Sequence, residues 1–541
     1  MLKSKLIAHS ALSILACILY CCFIGDSRLF DWDEINFAEI AREMVVTGQY
    51  LQVQIDFKMF WEKPPLFFWM QALSMKFFGI GEFASRFPNA LLGILTANIL
   101  LHIGTQIKNL SFGLLWAGLY GLSLLPFIYF KSGIIDPWLN TFIFLSLFTT
   151  HQYIEKRNVY NLIASGILLG LGILCKGPVA IIIWGLTGIT YYFLNKKNIR
   201  FPLAPLSLVV CISLSIPGIW FFIDYINNGS DFIIDFITYQ IELFKNPGAG
   251  HQQPFFYHPV IILLGCFPMS AFLLPAIKFK RLHQLENGKF LQICWISFLT
   301  VLILFSIVET KIIHYSSFCY LPLSFICAHY LHNNNLSKKN MRIFLIIGIL
   351  LSLSLILVVW FMASPDYWNS WITDDWNRLK MEANAKWYHW EIIYGLILLS
   401  SIIICYLKID KWQIKSIYIS LFFMGSVTFC IYGVFTPRIE QLSQSTYIKL
   451  MQEYSKENQY FALLGFSSYA HYFYTKITPS KDPIDLLKRP ERRYHLLAKD
   501  IDKDAYFLCP SKKSKKFMAK WKLKEIKTIN AWTILIRKAT N

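Results

Sequence analysis

Asp31, Asp33, Glu34, Glu39, Arg42, Glu43, Asp56, Lys58, Glu62 and Lys63 all fall between positions 30 and 66 of a chain that is otherwise 55% hydrophobic and only 16% charged. A loop that merely joined two apolar segments could be short and neutral, so this concentration marks a candidate active site. Asp33 stands between Asp31 and Glu34, just after the first apolar run. A carboxylate beside lipid and beside a second carboxylate holds its proton more tightly, which suits it to general-base work. Asp31 or Asp33 would equally serve as the N-cap of a following helix. Further on, Glu62-Lys63-Pro64-Pro65 places an acid and a base ahead of two prolines that stiffen the backbone. A lysine presented in this way suits a phosphate, and a glutamate suits a cation or an acceptor amine; a local interfacial Glu–Lys pair is the alternative.

Other ionisable groups sit at the ends of apolar segments, where they are expensive unless they have a partner or a task. Asp136 follows Lys131-Ser132-Gly133, and Lys176 occupies the turn Cys175-Lys176-Gly177-Pro178. Lys311 and His314 lie in the run ETKIIHY and are placed to meet a phosphate. The Gly- and Pro-rich stretch 246–258 carries His251 and His258; His251 either joins a carboxylate on a divalent metal or forms an ordinary hydrogen bond.

The elements that must position these groups are membrane helices. Of 541 residues, 17% are aromatic, and the net charge of +19 recurs as short basic clusters between apolar segments, such as Lys156-Arg157 and Lys338-Lys339. That is the positive-inside pattern, with anionic lipid rather than nucleic acid as the counter-charge. Segments near 6–25, 88–106, 112–130, 137–150, 160–175, 178–194, 201–222, 259–277, 290–308, 313–332, 341–362, 391–408 and 416–435 are apolar enough to span, giving about thirteen crossings. Counting sides from the basic loops puts the first loop, Asp136, Lys176, 224–258 and the C-terminal region together on the outer face. Residues 64–78 then form a helix that lies in the outer interface or re-enters the bilayer. Within the first loop, Ile35, Ala38, Ala41 and Val45 follow helical spacing up to a stop at Gly48, predicting an amphipathic surface helix with Glu39, Arg42 and Glu43 on its solvated face. The expected architecture is therefore an all-α polytopic membrane domain over 1–438, with its outer catalytic loop at 26–87, followed by a small outer α/β domain over 439–541. In that last part, 460–466, 505–508 and 532–537 read as strands, 445–455 and 512–521 as helices, and KRPERR and SKKSKK as solvated or lipid-facing charge. Eleven of the 12 cysteines lie in or beside apolar segments, which argues against a disulfide framework.

An ordered series of these motifs resembles the polytopic C-type glycosyltransferases that use polyprenyl-phosphate sugars, in particular the aminoarabinose transferase and protein O-mannosyltransferase-like group. The series is Asp33-Glu34 with AEIAREM, Glu62-Lys63-Pro64-Pro65-Leu66, the run from Phe78 to Pro88, Asp136, Lys176-Gly177-Pro178, His251-Gln252-Gln253-Pro254 and Thr310-Lys311 with His314-Tyr315. The resemblance covers about residues 1–330. It implies a bacterial inner-membrane enzyme whose active site faces the periplasm and which transfers one sugar with inversion from a polyprenyl (undecaprenyl) phosphate donor. The acceptor it implies is lipid A or another glycolipid, with a protein hydroxyl as the alternative. Carried over residue by residue, Asp33 resembles the catalytic carboxylate, Lys63 resembles a donor-phosphate contact, Asp136 resembles the second acidic position, and Glu62 and His251 resemble a divalent-cation site; Glu34 is expected to join Asp33, and Lys176 and Lys311 to join Lys63. The family often reads Asp-Glu-x-Arg-Tyr; here Asn36 and Phe37 replace the Arg and Tyr, which removes a cation and a hydroxyl. A polytopic lipid flippase, the rival from another class, predicts matching halves with broken helices, and no such symmetry is present.

Overall fold

The computed structural model describes residues 2–196, 203–245, 253–277, 288–382, 385–456 and 458–540. The helix α1 (Leu2–Cys21) leads into α2 (Asp33–Thr47), a small hairpin of β1 (Gln54–Ile55) and β2 (Lys58–Met59), then α3 (Leu66–Phe78) and α4 (Glu82–Ile107). Among the described residues, eight helices are long and apolar enough to cross a membrane, or nine if Tyr257–Gly265 and Met269–Ile277, bent by 109°, count as one broken span. Two shorter apolar helices, Leu110–Gly121 and Val179–Asn195, accompany them. The chain is thus a multi-pass membrane protein. Several of the thirteen expected crossings are broken elements: 259–277 bends at Pro268, which has no N–H for a helical bond, and 313–332 begins as a 3-10 turn over Ile313–Cys319. Residues 64–78 supply α3, a 13-residue helix that starts directly after the two prolines. All twelve cysteines are free thiols.

Several polar groups inside the helical core pair with one another, as a low-dielectric interior favours. Trp116 Nε1 donates to Ser324 Oγ at 2.8 Å, and Asn140 Nδ2 donates to Ser317 Oγ at 2.9 Å. Lys131 is fully buried; its Nζ donates to the carbonyls of Leu19 and Cys22 at 2.8 and 2.6 Å and so caps the end of α1.

The helix α2 corrects the surface reading. It ends where expected, with Gly48 at φ 73° and its N–H on the Met44 carbonyl, but it is buried on every side rather than solvated on one. Glu39, Arg42 and Glu43 are at most 1% exposed. Arg42 donates through Nε and Nη2 to both Glu39 oxygens at 2.7 Å, and through Nη2 to the Ile477 carbonyl at 2.8 Å. Glu43 accepts the Asp56 and Phe57 N–H groups at 2.7 and 2.9 Å, which secures a hairpin turn whose residues sit at positive φ. The periodicity was masked because these charges satisfy one another inside the protein instead of pointing at water.

What covers α2 is the C-terminal region. There β3 (Tyr460–Leu463), β4 (Ala505–Pro510), β5 (Lys524–Ile529) and β6 (Trp532–Arg537) form one sheet in the order β3-β4-β6-β5, with β3 parallel to β4 and the other pairs antiparallel. A single apolar cluster joins Ile35, Ala38, Ala41 and Met44 of α2 to Tyr447, Ile448, Phe461 and Trp532. The first loop is therefore packed between the membrane helices and this sheet.

Candidate active site

Glu34 is the hub that fixes the first loop against the bundle. Arg86, near the start of α4, donates through Nε and Nη2 to the two Glu34 oxygens at 2.8 Å each, and its Nη1 bonds the Ile24 and Ser27 carbonyls at 2.7 and 2.8 Å. The Gly133 and Phe30 N–H groups add bonds to Glu34 of 2.6 and 2.8 Å. Burial pushes the Glu34 carboxyl up, but the Arg86 guanidinium and these N–H donors hold it below its ordinary value. Gly133 packs closely here: a Cβ there would lie 3.1 Å from both Glu34 Cγ and the Ser85 carbonyl oxygen. This contact draws the segment ending at Asp136 against the loop that bears Asp33.

Asp33 is the first residue of α2. The preceding Trp32 makes no side-chain cap, so neither Asp31 nor Asp33 caps the helix. Asp33 is partly exposed, and no hydrogen bond reaches its carboxylate among the described residues. Asp31 instead faces the C-terminal region, where its Oδ2 accepts from Tyr447 at 3.4 Å.

Five segments converge beside Asp33. Lys176 donates to Asp136 Oδ1 at 2.6 Å, and Asp136 is buried. The turn behind Lys176 is tight: Gly177 sits at φ 88°, and a Cβ there would lie 3.0 Å from the Phe236 ring. Burial pushes the Lys63 ammonium below its ordinary value and Lys176 adds to the push, while Glu62, Asp33 and Asp136 act against it. All four are thus close enough to Lys63 to act on it electrostatically. The Lys63 Nζ lies 5.1 Å from the centroid of the Tyr239 ring, and Tyr239 donates its hydroxyl to Glu62 Oε2 at 3.0 Å. Tyr315 completes the group: the Lys176 Nζ is 5.8 Å from its ring centroid, and Asp33, Asp136 and Glu62 all act on its hydroxyl. An arrangement of one unpartnered carboxylate, two lysines and two tyrosines can orient a hydroxyl nucleophile and neutralise a leaving phosphate.

The remaining expected residues have further neighbours or fall outside the described residues. Lys311 is buried beside His258, whose Nδ1 is 3.0 Å from Ser316 Oγ, and His314 pairs with the Tyr129 hydroxyl at 2.9 Å. His251 is outside the described residues. Among the described residues Glu62 Oε1 has no hydrogen bond, and no group of three His, Cys, Asp or Glu could hold a metal. Phe37 packs on Phe67 and Phe68 at 6.1 and 5.6 Å between ring centroids, and Asn36 is buried with Oδ1 unpartnered. Sequence reasoning missed Tyr239. It lies in the helix Asp231–Lys245, where it reads as one more aromatic in an amphipathic run.

Comparison with known proteins agrees in sequence and in fold. The family described as "Dolichyl-phosphate-mannose-protein mannosyltransferase" matches residues 62–221. The "Undecaprenyl phosphate-alpha-4-amino-4-deoxy-L-arabinose arabinosyl transferase" of Wigglesworthia glossinidia brevipalpis is 28% identical over 343 residues, 61% of this chain and 60% of that protein. That of Pectobacterium carotovorum is 27% identical over 337 residues, 61% of this chain and 59% of that protein. The matched part thus spans about three fifths of these relatives. The crystal structure of ArnT from Cupriavidus metallidurans bound to undecaprenyl phosphate superposes with a TM-score of 0.77 at 16% identity, covering 99% of this chain and 98% of that one. An oligosaccharyltransferase from Archaeoglobus fulgidus gives 0.52 at 10% identity, covering 95% and 71%. The resemblance read from the ordered motifs stands, and the fold is that of ArnT.

Proposed function

We propose that this chain is an inverting glycosyltransferase that moves a single sugar from an undecaprenyl-phosphate donor to an envelope acceptor, lipid A or another glycolipid, at the periplasmic face of the inner membrane. The observation that carries the reading is the meeting of Asp33, Lys63, Asp136 and Lys176, from four separate segments, in one cluster of a fold shared with a protein solved with undecaprenyl phosphate. In this mechanism Asp33 accepts the proton of the acceptor hydroxyl, whose oxygen then attacks the anomeric carbon opposite the phosphate. As the anomeric C–O bond breaks, Lys63 and Lys176 take up the charge growing on the departing polyprenyl phosphate, with Asp136 holding the Lys176 ammonium in place. Because that phosphate is already a competent leaving group, positioning and charge neutralisation dominate. Glu62 orients the Tyr239 hydroxyl, and Glu34 holds the loop from behind through Arg86.

We further propose a topology of thirteen crossings with α3 on the outer side, and that Glu62 and His251 would hold a divalent cation. Transfer lost with EDTA and restored by added cation supports the cation, and transfer indifferent to EDTA removes it. The test of the main reading is to incubate membranes with labelled undecaprenyl-phosphate sugar and to analyse lipid A and envelope proteins by mass spectrometry with and without this chain. Label on lipid A supports the reading. Label on a Ser or Thr hydroxyl supports the second reading, protein O-glycosyl transfer, which the match to the mannosyltransferase family over 62–221 favours. Donor translocation without covalent transfer refutes both.

A further inference from the structure

The run KRPERR, read from the sequence as solvated or lipid-facing charge, lines a cavity instead. It opens beyond the carboxyl end of β3, between the loop that follows that strand, the helix Ala470–Thr475 and the helix Arg489–Ala498, and has a volume of about 60 Å³. At ~10–15 Å³ per water-sized occupant this is room for about four to six such groups, the size of a phosphorus with four oxygens. Arg489, Arg492 and Arg493 line it together with His471 and Tyr472, and none of its lining residues is acidic.

The three guanidinium groups are held differently. Arg492 grips Asp485 through Nε and Nη2 at 2.9 and 2.7 Å, and donates to the Phe461 carbonyl at 3.0 Å. Arg489 stacks 3.6 Å from the Tyr469 ring centroid, donates to the Ser468 carbonyl at 3.0 Å, and has its nearest carboxylate oxygen, on Asp56, at 3.8 Å. Arg493 is half-buried and makes no ion pair or hydrogen bond to the described residues. His471 is 4% exposed, and its Nδ1 has no hydrogen-bond partner. Burial, Arg489 and Arg492 all depress its proton affinity, against a hydrogen bond to the Ser468 backbone, so the ring stays neutral and one of its nitrogens carries an N–H while Nδ1 has no partner. The cavity thus offers an unpaired guanidinium, a second one pre-aligned by stacking, and a buried ring nitrogen in want of a partner. A carboxylate would satisfy one fork, whereas a phosphate dianion presents enough oxygens for all three groups.

We propose that this cavity is a binding site for a phosphomonoester group, separate from the Lys63 and Lys176 cluster. The inference goes beyond the transfer reading and does not depend on it, since occupancy is measured with no donor sugar present. The test uses the full-length chain in detergent. Lys63→Ala removes a lysine of the active-site cluster, and in that background inorganic phosphate is titrated by calorimetry with and without Arg493→Ala. The expected result is one saturable site whose affinity falls about tenfold or more with R493A, in the range of a lost charge-assisted hydrogen bond, and falls less with R493K. Native mass spectrometry with phosphatidic acid against phosphatidylcholine separates the sources. Binding of phosphatidic acid that depends on Arg493, without binding of inorganic phosphate, assigns the site to a lipid headgroup. Binding of inorganic phosphate assigns it to the free ion or a small phosphate ester. No Arg493-dependent binding of either probe, or displacement of phosphate by acetate at equal concentration, overturns the proposal. Because Arg493 makes no hydrogen bond or ion pair to the described residues, R493A is expected to retain the wild-type unfolding midpoint, and Ser467→Glu, which places a carboxylate at the cavity wall, gives an independent second variant that should also weaken binding by about tenfold or more.

Discussion

Replacing Glu34 by Gln removes a negative charge from a site where its partner Arg86 is 1% exposed and Glu34 itself 6% exposed. Two bonds of 2.8 Å join the pair, so the variant leaves a guanidinium buried with carbonyl acceptors but no counter-charge. Breaking a buried pair from one side destabilises by about 3–5 kcal/mol, because the orphaned charge cannot return to water. Removing both charges relieves that penalty, and groups in direct contact couple by about 0.5–3 kcal/mol. The double variant Glu34→Gln with Arg86→Gln should accordingly be more stable than the sum of the two single losses implies, by about 2–3 kcal/mol. The assay is a double-mutant cycle on unfolding midpoints of detergent-purified protein, with sugar transfer measured per folded molecule in the same four samples. Glu34 is expected to act through the fold alone, so transfer per folded molecule returns in the double variant. A double variant that is folded but inert in transfer would place Glu34 in the chemistry beside Asp33 and refute the reasoning.

Asp33→Asn should lower transfer by about 10²–10⁴, the contribution of a positioned general base, while leaving the unfolding midpoint unchanged, because no protein hydrogen bond to the carboxylate is lost. Lys63→Ala should weaken donor binding and slow transfer, by about tenfold or more in kcat/KM, whereas Lys311→Ala should leave kcat/KM for the donor within about twofold, since Lys311 lies beside His258. Asp31 gives a pH signature: burial raises its carboxyl from the ordinary 3.8 to about 6, outweighing Ser468, Tyr447 and Arg489. The stabilisation from its protonated form is complete below the unfolded value and is lost as pH rises through about 6, a loss of about 3 kcal/mol at ~1.4 kcal/mol per unit. Asp31→Asn should therefore flatten the fall in unfolding midpoint between pH 4 and pH 7, and an unchanged slope would remove Asp31 as its cause. Glu43, pushed up to about 9 by burial and by Glu39, should in the same way cause a second loss of stability as pH rises through 9, read as faster proteolysis of the first loop.

Much of the architecture was legible because membrane helices advertise themselves by length and apolarity. The strands β3, β4 and β6 were visible as short apolar runs, since each buries most of its residues. The edge strand β5 was not. Its sequence KEIKTI exposes most positions and carries charge where an inner strand would carry a hydrophobe, so the pattern that identifies a half-buried strand is missing. The helix Arg489–Ala498 was hidden by its composition, which reads as a charge run until Asp485, Phe461 and the cavity supply its partners.

The site was legible to the degree that its chemistry is local in sequence. Glu62-Lys63-Pro64-Pro65 states its own geometry, and Asp136 and Lys176 betray themselves as ions at helix ends. What a single sequence does not carry is which of two neighbouring acids faces the substrate and which faces the protein. Asp33 and Glu34 are adjacent on one helix and so point in directions about 100° apart. Arg86, fifty-two positions on, claims Glu34, and that claim leaves Asp33 as the one of the pair that acts electrostatically on Lys63. The same reasoning separates Glu39, Arg42 and Glu43 from the solvent they were expected to meet. Their partners are a backbone carbonyl at Ile477 and a hairpin turn at 56–57, neither of which has any sequence signature. A charged loop packed between membrane helices and the C-terminal sheet thus divides its charges into those that close on one another and those left open, and Asp33 and Lys63 are distinguished from the rest by what fails to neutralise them.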